Sequence, residues 1–214
     1  MIWHPSVVSD EEAALDHWVR TRMVAINRSL EERYCDLPDR QAVDVRDPDA
    51  ERRHEAVPPT LRREIIALQD ALAVEGDAHA AALDLGRVVG QSEEYAFSVL
   101  GNLGMFLASC RRHRVDAFDG TAAGVAQSLG LQLQVAPRLV ASHLELHNSA
   151  TPDGYRTFTG YPEEHHFLFG NSKAALSYTR AAQALLRARQ VGIHHPLATV
   201  MFDEVAHELL HVQL

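Results

Sequence analysis

Apolar residues near the start of the chain recur at intervals of three and four. Leu15, Val19, Met23, Ile26 and Leu30 follow the capping residues Ser9 and Asp10, and this spacing predicts one amphipathic helix. Pro58 and Pro59 suit a second helix start, with Leu61, Ile65, Leu68 and Leu72 on its buried face and Gly76 as its end. Between Ser92 and Arg112 the pattern changes. Tyr95, Phe97, Val99, Leu100, Leu103, Met105, Phe106 and Leu107 cover nearly every side, which predicts a centrally buried helix. Gly101 and Gly104 lie inside it, and a helix-interior glycine costs roughly 1 kcal/mol against alanine. Close approach of another helix, or of a flat ligand, would account for them.

A shorter helix is expected around Thr121 to Leu129, and the segment from Leu131 to Asn148 is ambiguous. Residues 148–162 read as a loop that still carries Tyr155, Phe158 and Tyr161. Lys173, Arg180 and Arg187 then repeat every seven residues along the wet side of a helix whose dry side is expected to hold Phe169, Leu176 and many alanines, ending near Gly192. Pro196 opens a last helix with Leu197, Met201, Val205, Leu209 and Val212 as its buried stripe. No stop residue follows, so the chain is expected to end in mid-helix as though cut from a longer protein. Residues 36–59, rich in Asp, Arg and Pro, read as a loop or linker. Together these elements predict an all-α fold of six to eight helices in a single domain over residues 1–214.

Composition narrows the class. Of 214 residues, 46% are apolar and 23% charged, as in an ordinary packed domain. A net charge of -9 argues against a broad grip on nucleic acid or anionic lipid. The two cysteines, Cys35 and Cys110, form no secretory framework, the N-terminus lacks a signal pattern, and no apolar run is long enough to span a bilayer. The expected setting is cytoplasmic, with no membrane and no nucleic-acid partner.

The 13 histidines raise the question of metals. His207-Glu208-Leu209-Leu210-His211 matches the zinc hydrolase pattern of two ligands one turn apart with a general base between them, although a third ligand would have to come from upstream. Glu204 with His207, Glu208 with His211, and Glu163 with His166 also form the Glu-x-x-His pairs of di-iron bundles. A hydrated face of local ion pairs through Asp203, Glu204, His207, Glu208 and His211 accounts for the same residues without a metal.

The most distinctive segment runs from His143 through Asn148 to Arg156-Thr157-Phe158-Thr159-Gly160-Tyr161-Pro162-Glu163-Glu164-His165-His166. With the earlier Gly101-Asn102-Leu103-Gly104-Met105-Phe106, it resembles the monodechloroaminopyrrolnitrin synthase family, part of the helical heme superfamily of the tryptophan and indoleamine dioxygenases. The likeness spans about Ser92 to Pro196 and departs from the family pattern at His147 and Ser149.

The resemblance implies a heme-dioxygenase-like all-α fold truncated at its C-terminus, heme b as cofactor, and dioxygen or peroxide as oxidant. An aromatic amino acid or indole derivative would be the substrate, and a homo-oligomer is compatible with it. The family's axial histidine would lie beyond Leu214, which leaves His211 and His207 as metal candidates, with zinc as the alternative metal. His143, Arg156, Phe158, Thr159, Tyr161 and His166 become the pocket candidates. Arg156 suits a propionate or amino-acid carboxylate, and Phe158 and Tyr161 a flat ligand. Equally, Arg156 suits tying its own loop to helix-end carbonyls, and His143 and His166 suit structural hydrogen bonds.

Overall fold

The computed structural model describes residues 10–37, 57–117 and 120–212. Most of the loop expected at 36–59 therefore lies outside the described residues. Within them the fold is all-α, with a single β-bridge between Thr151 and Gly154 as the one departure. The chain divides into two compact units: Met1–His143 with Ser149–Gly160, and Leu144–Asn148 with Tyr161–Leu214.

In the first unit, α1 (Asp10–Arg20) and α2 (Arg22–Cys35) replace the single helix expected over Leu15 to Leu30. The break falls at Thr21, whose hydroxyl donates to the His17 carbonyl at 2.7 Å, a back-bond that bends helices. The apolar stripe survives the break, for Leu15, Val19, Met23, Ile26 and Leu30 are all buried. Helix α3 (Pro59–Ala81) starts at its proline as expected but runs on through Gly76. That glycine is no stop signal: a Cβ there would lie 2.2 Å from the ring of Phe106, so the helix keeps glycine to admit the aromatic.

After α4 (Leu85–Gln91) comes the central helix α5 (Glu93–Arg112), capped by the Ser92 hydroxyl, which accepts from the Tyr95 N–H. Its buried residues include Leu100, Leu103, Met105 and Phe106. Helix α6 (Thr121–Leu133) is a turn longer than its apolar pattern suggests. It ends on Gln134 in the left-handed conformation (φ 54°), with the Val135 N–H returning to the Gly130 carbonyl at 2.9 Å. The short α7 (Ala141–Glu145) follows.

The second unit is built on a helical hairpin, α8 (Pro162–Val191) and α9 (Pro196–His211). Gly192 turns the chain at φ 90°, and the His195 side chain accepts from the Leu197 N–H at 3.2 Å to cap α9. Here the expected buried faces need correction. The buried positions of α8 are Leu168, Ser177, Ala181, Ala184 and Ala188, and that of α9 is Ala198. Phe169, Leu176, Leu197 and Leu209, all expected inside, are exposed. Small residues let the two helices pack closely, and the large ones are pushed to the flanks. Arg187 closes the hairpin by donating to both Glu204 oxygens at 2.7 and 2.8 Å.

Candidate functional site

The polar centre of the first unit forms where α1, α5 and the 149–160 segment meet, and Arg156 is its hub. Its side chain is buried, and Nη2 donates to Ser98 Oγ at 2.6 Å and to Asp16 Oδ1 at 3.2 Å, while Nε reaches the same oxygen at 3.3 Å. Asp16 is shared. Its Oδ2 accepts from Arg20 Nε at 2.7 Å, and its Oδ1 also accepts from Asn102 Nδ2 at 3.1 Å. Arg20 continues outward, donating to the carbonyls of Ser149 and Gly154 at 3.1 and 2.7 Å. Nearby on the same two helices, the Tyr95 hydroxyl donates to the buried Glu12 carboxylate.

Electrostatics follows from this packing. Burial by itself would raise the Asp16 carboxyl, but the Arg20 hydrogen bond, the charges of Arg156 and Arg20, and the Asn102 amide together hold it below the usual carboxylate range. Burial lowers the Arg156 guanidinium and Asp16 opposes that, so the pair stays ionised. Burial, and then the hydrogen bond to Glu12, push the Tyr95 phenol up. Glu12, Asp16, Arg20 and Arg156 contribute two charges of each sign, so the centre is close to neutral as well as hydrogen-bonded.

Each pocket candidate has a definite place. His143 is fully buried, stacked on Phe97 with ring centroids 4.0 Å apart, and its Nδ1 accepts from the Val140 N–H at 3.1 Å. The His143 ring also lies over Gly101, where a Cβ would come within 3.0 Å of it. Gly104 meets the backbone of Leu139, where a Cβ would lie 2.6 Å from the nitrogen. Close chain approach therefore accounts for both helix glycines. The carbonyls of Phe158 and Thr159 accept from Asn27 Nδ2 and Arg28 Nε, at 2.9 and 3.0 Å.

In the second unit, Tyr161 is the N-cap of α8, and His166 is exposed, its Nδ1 2.9 Å from the Pro162 carbonyl. His207 and His211 are exposed on α9, with their Nε2 atoms 3.1 Å apart in a mutual hydrogen bond. His143 and Arg156 share the Gly101 neighbourhood in the first unit, and Tyr161, His166, His207 and His211 belong to the second.

Sequence reasoning missed Asp16, Arg20, Ser98 and Asn102. A signal existed, because Glu12, Asp16 and Arg20 stand four residues apart beside the apolar stripe of α1, the spacing of side chains that meet on one helix face.

A heme would need an open imidazole and a flat apolar surface. The first unit's candidates do not fit that need, since the faces of Gly101, His143 and Phe97 are covered by one another and Arg156 is engaged by a carboxylate. His207 and His211 fit better by donor type and exposure, with the exposed Leu210 one turn from His207 and the exposed Val200 two turns before it. Among the described residues no group of three or more His, Cys, Asp or Glu side chains is placed to hold a metal ion, which leaves the zinc alternative without support.

The described residues form an all-α fold with a buried polar centre against a glycine-bearing central helix. The model of the monodechloroaminopyrrolnitrin synthase family matches residues 9–213, so the likeness reaches well beyond the half of the chain that carries the motifs, and the chain belongs to that family. No curated protein matches the chain significantly. The family is one of heme-dependent oxygenases acting on tryptophan-derived substrates in secondary metabolism. No helix among the described residues is long and apolar enough to cross a membrane.

Proposed function

We propose that this chain serves the oxygenase chemistry of its family on an aromatic amino acid or indole derivative, with heme b ligated by His211 or His207. The observation that carries the oxygenase reading is the family match across residues 9–213, and the choice of ligand rests on the exposure of His207 and His211. Heme, when bound, would supply the redox and dioxygen or peroxide chemistry. The chain's own part is to supply the imidazole and an apolar surface beside it, for which the exposure of His207, His211, Leu210 and Val200 speaks. The polar centre around Arg156 has a different task in this reading. It fixes the 149–160 segment to α1 and α5, because its hydrogen-bonding groups are directed at Asp16, Ser98 and two loop carbonyls.

The test is an absorption titration of the purified chain with hemin. Saturable one-to-one binding with a shifted Soret band, lost on His211→Ala or His207→Ala, is the expected result. A chain that binds no hemin, or binds it equally well after both substitutions, would overturn the assignment.

A further inference from the structure

Two imidazoles of α9 converge on one another. His207 and His211 stand one turn apart, their rings meet edge to face with centroids 4.5 Å apart, and their Nε2 atoms are 3.1 Å apart. One Nε2 of such a pair carries the hydrogen and the other offers it a lone pair. Both residues are exposed, and among the described residues neither ring is held by a carboxylate. Glu208, which lies between them in sequence, is turned to α8 instead: its Oε1 is 3.7 Å from Arg180 Nη1, and its side chain is 14% exposed. The carboxylate of the His-Glu-Leu-Leu-His motif is therefore engaged elsewhere, and the two ring nitrogens are the donors the motif offers.

Their separation is that of neighbouring ligands on one metal ion. Two nitrogens each about 2.0–2.1 Å from an ion, at an angle of about 90–100°, lie about 2.8–3.2 Å from each other. The pair is also pre-organised, since both histidines belong to one helix, and Arg187 and Glu204 fix that helix in its hairpin. Asp203, one turn before His207, adds a negative charge to the same helix face. We infer that His207 and His211 form a two-imidazole chelating site for a late divalent transition-metal ion, Cu2+ above all. Cu2+ takes nitrogen ligands at right angles, with water in its remaining positions, and stands highest in the affinity order of the divalent series. Zinc sites use three protein ligands or more, so Zn2+ should bind this pair more weakly. On binding, the hydrogen between the nitrogens passes to its own ring's Nδ1 or to solvent, and the ion takes its place. The inference goes beyond the heme reading and does not depend on it: a heme iron would take one of these imidazoles, and this ion takes both.

The test is a calorimetric titration of the full chain with Cu2+ buffered by glycine, which keeps the free ion too scarce for single imidazoles. One equivalent should bind, and the frozen complex should show electron paramagnetic resonance coupling to a pair of nitrogens. His207→Ala and His211→Ala should each weaken binding roughly 100-fold, the gain that a second linked ligand supplies. His211→Ala combined with Leu209→His keeps the number of histidines but moves one to another side of the helix, and should bind as weakly as His211→Ala alone. His194→Ala, in the turn before α9, should leave binding unchanged. Because all these positions are exposed, each variant should keep the helical circular dichroism of the parent. A parent that binds Cu2+ no more tightly than His211→Ala, or a relocated-histidine variant as tight as the parent, would overturn the proposal. Hemin is absent throughout, so this result and that of the hemin titration are read separately.

Discussion

The two units use similar helices in opposite ways. In the first, large apolar side chains point inward, with Tyr34, Phe106, Leu100 and Met105 fully buried, and the charged residues that go inside do so together, Asp16 with Arg20 and Arg156. In the second, the seam is made of Ala181, Ala184, Ala188 and Ala198, while Phe167, Leu186, Val200 and Leu210 face outward. Burial of large side chains drives folding, so the first unit is held by a large apolar core and the second by a close seam of small residues. The contrast also separates two kinds of candidate residue. His143 and Arg156 in the first unit are buried in packing, and His166, His207 and His211 in the second are exposed.

The contrast is broken most directly at the ion cluster. Arg156→Met should cost about 3 kcal/mol or more in a urea unfolding curve, since it leaves a half-buried Asp16 short of a partner. A loss under about 1 kcal/mol would mean that the centre does not hold the 149–160 segment.

Next comes acid sensitivity. Burial, and then the Arg112 charge, hold the His113 imidazole down at about 4. As the pH falls below the ordinary value of 6.5, the unfolded chain takes up a proton that the folded chain refuses until about pH 4. Stability should therefore decline across that window by up to about 3 kcal/mol, with His79, also lowered by burial, adding in the same direction. The Asp16 contribution lies lower, lost only as the pH falls below its ordinary 3.8 and through its depressed folded value. Urea midpoints measured from pH 7 to 4 should flatten in His113→Gln.

Glycine substitutions sharpen the comparison at smaller scale. Gly104→Ala in the first unit must displace the Leu139 backbone and should lower stability by about 1–3 kcal/mol. Gly170 in α8 has open space where a Cβ would go, so Gly170→Ala should raise the melting temperature, adding about 1 kcal/mol or less. Equal effects at the two positions would erase the distinction.

Much of the helical order was readable, because the proline starts at Pro59 and Pro196 are local signals that act within one turn, whereas Pro162 read as part of the loop before α8. What periodicity does not reveal is which side of a helix finds a partner. Leu197 and Leu209 lie on a regular stripe and are exposed, because alanines elsewhere on the same helices pack more closely. Gly76 read as a stop for a related reason, since the aromatic it admits comes from α5, far along the chain. Arg156 and His143 stood out by motif. Their partners Asp16 and Ser98 did not: the spacing of Glu12, Asp16 and Arg20 marks one helix face, but an ion pair 140 residues apart in sequence leaves no local trace of its distant member.

The central claim, that the available imidazoles are those of the second unit, is tested most directly by electron paramagnetic resonance of the hemin-loaded chain and its variants. An imidazole-ligated ferric signal that survives His143→Gln and disappears on His211→Ala or His207→Ala is the result this account predicts. A signal lost with His143→Gln and kept in both α9 variants would contradict it, and would place the ligand in the first unit.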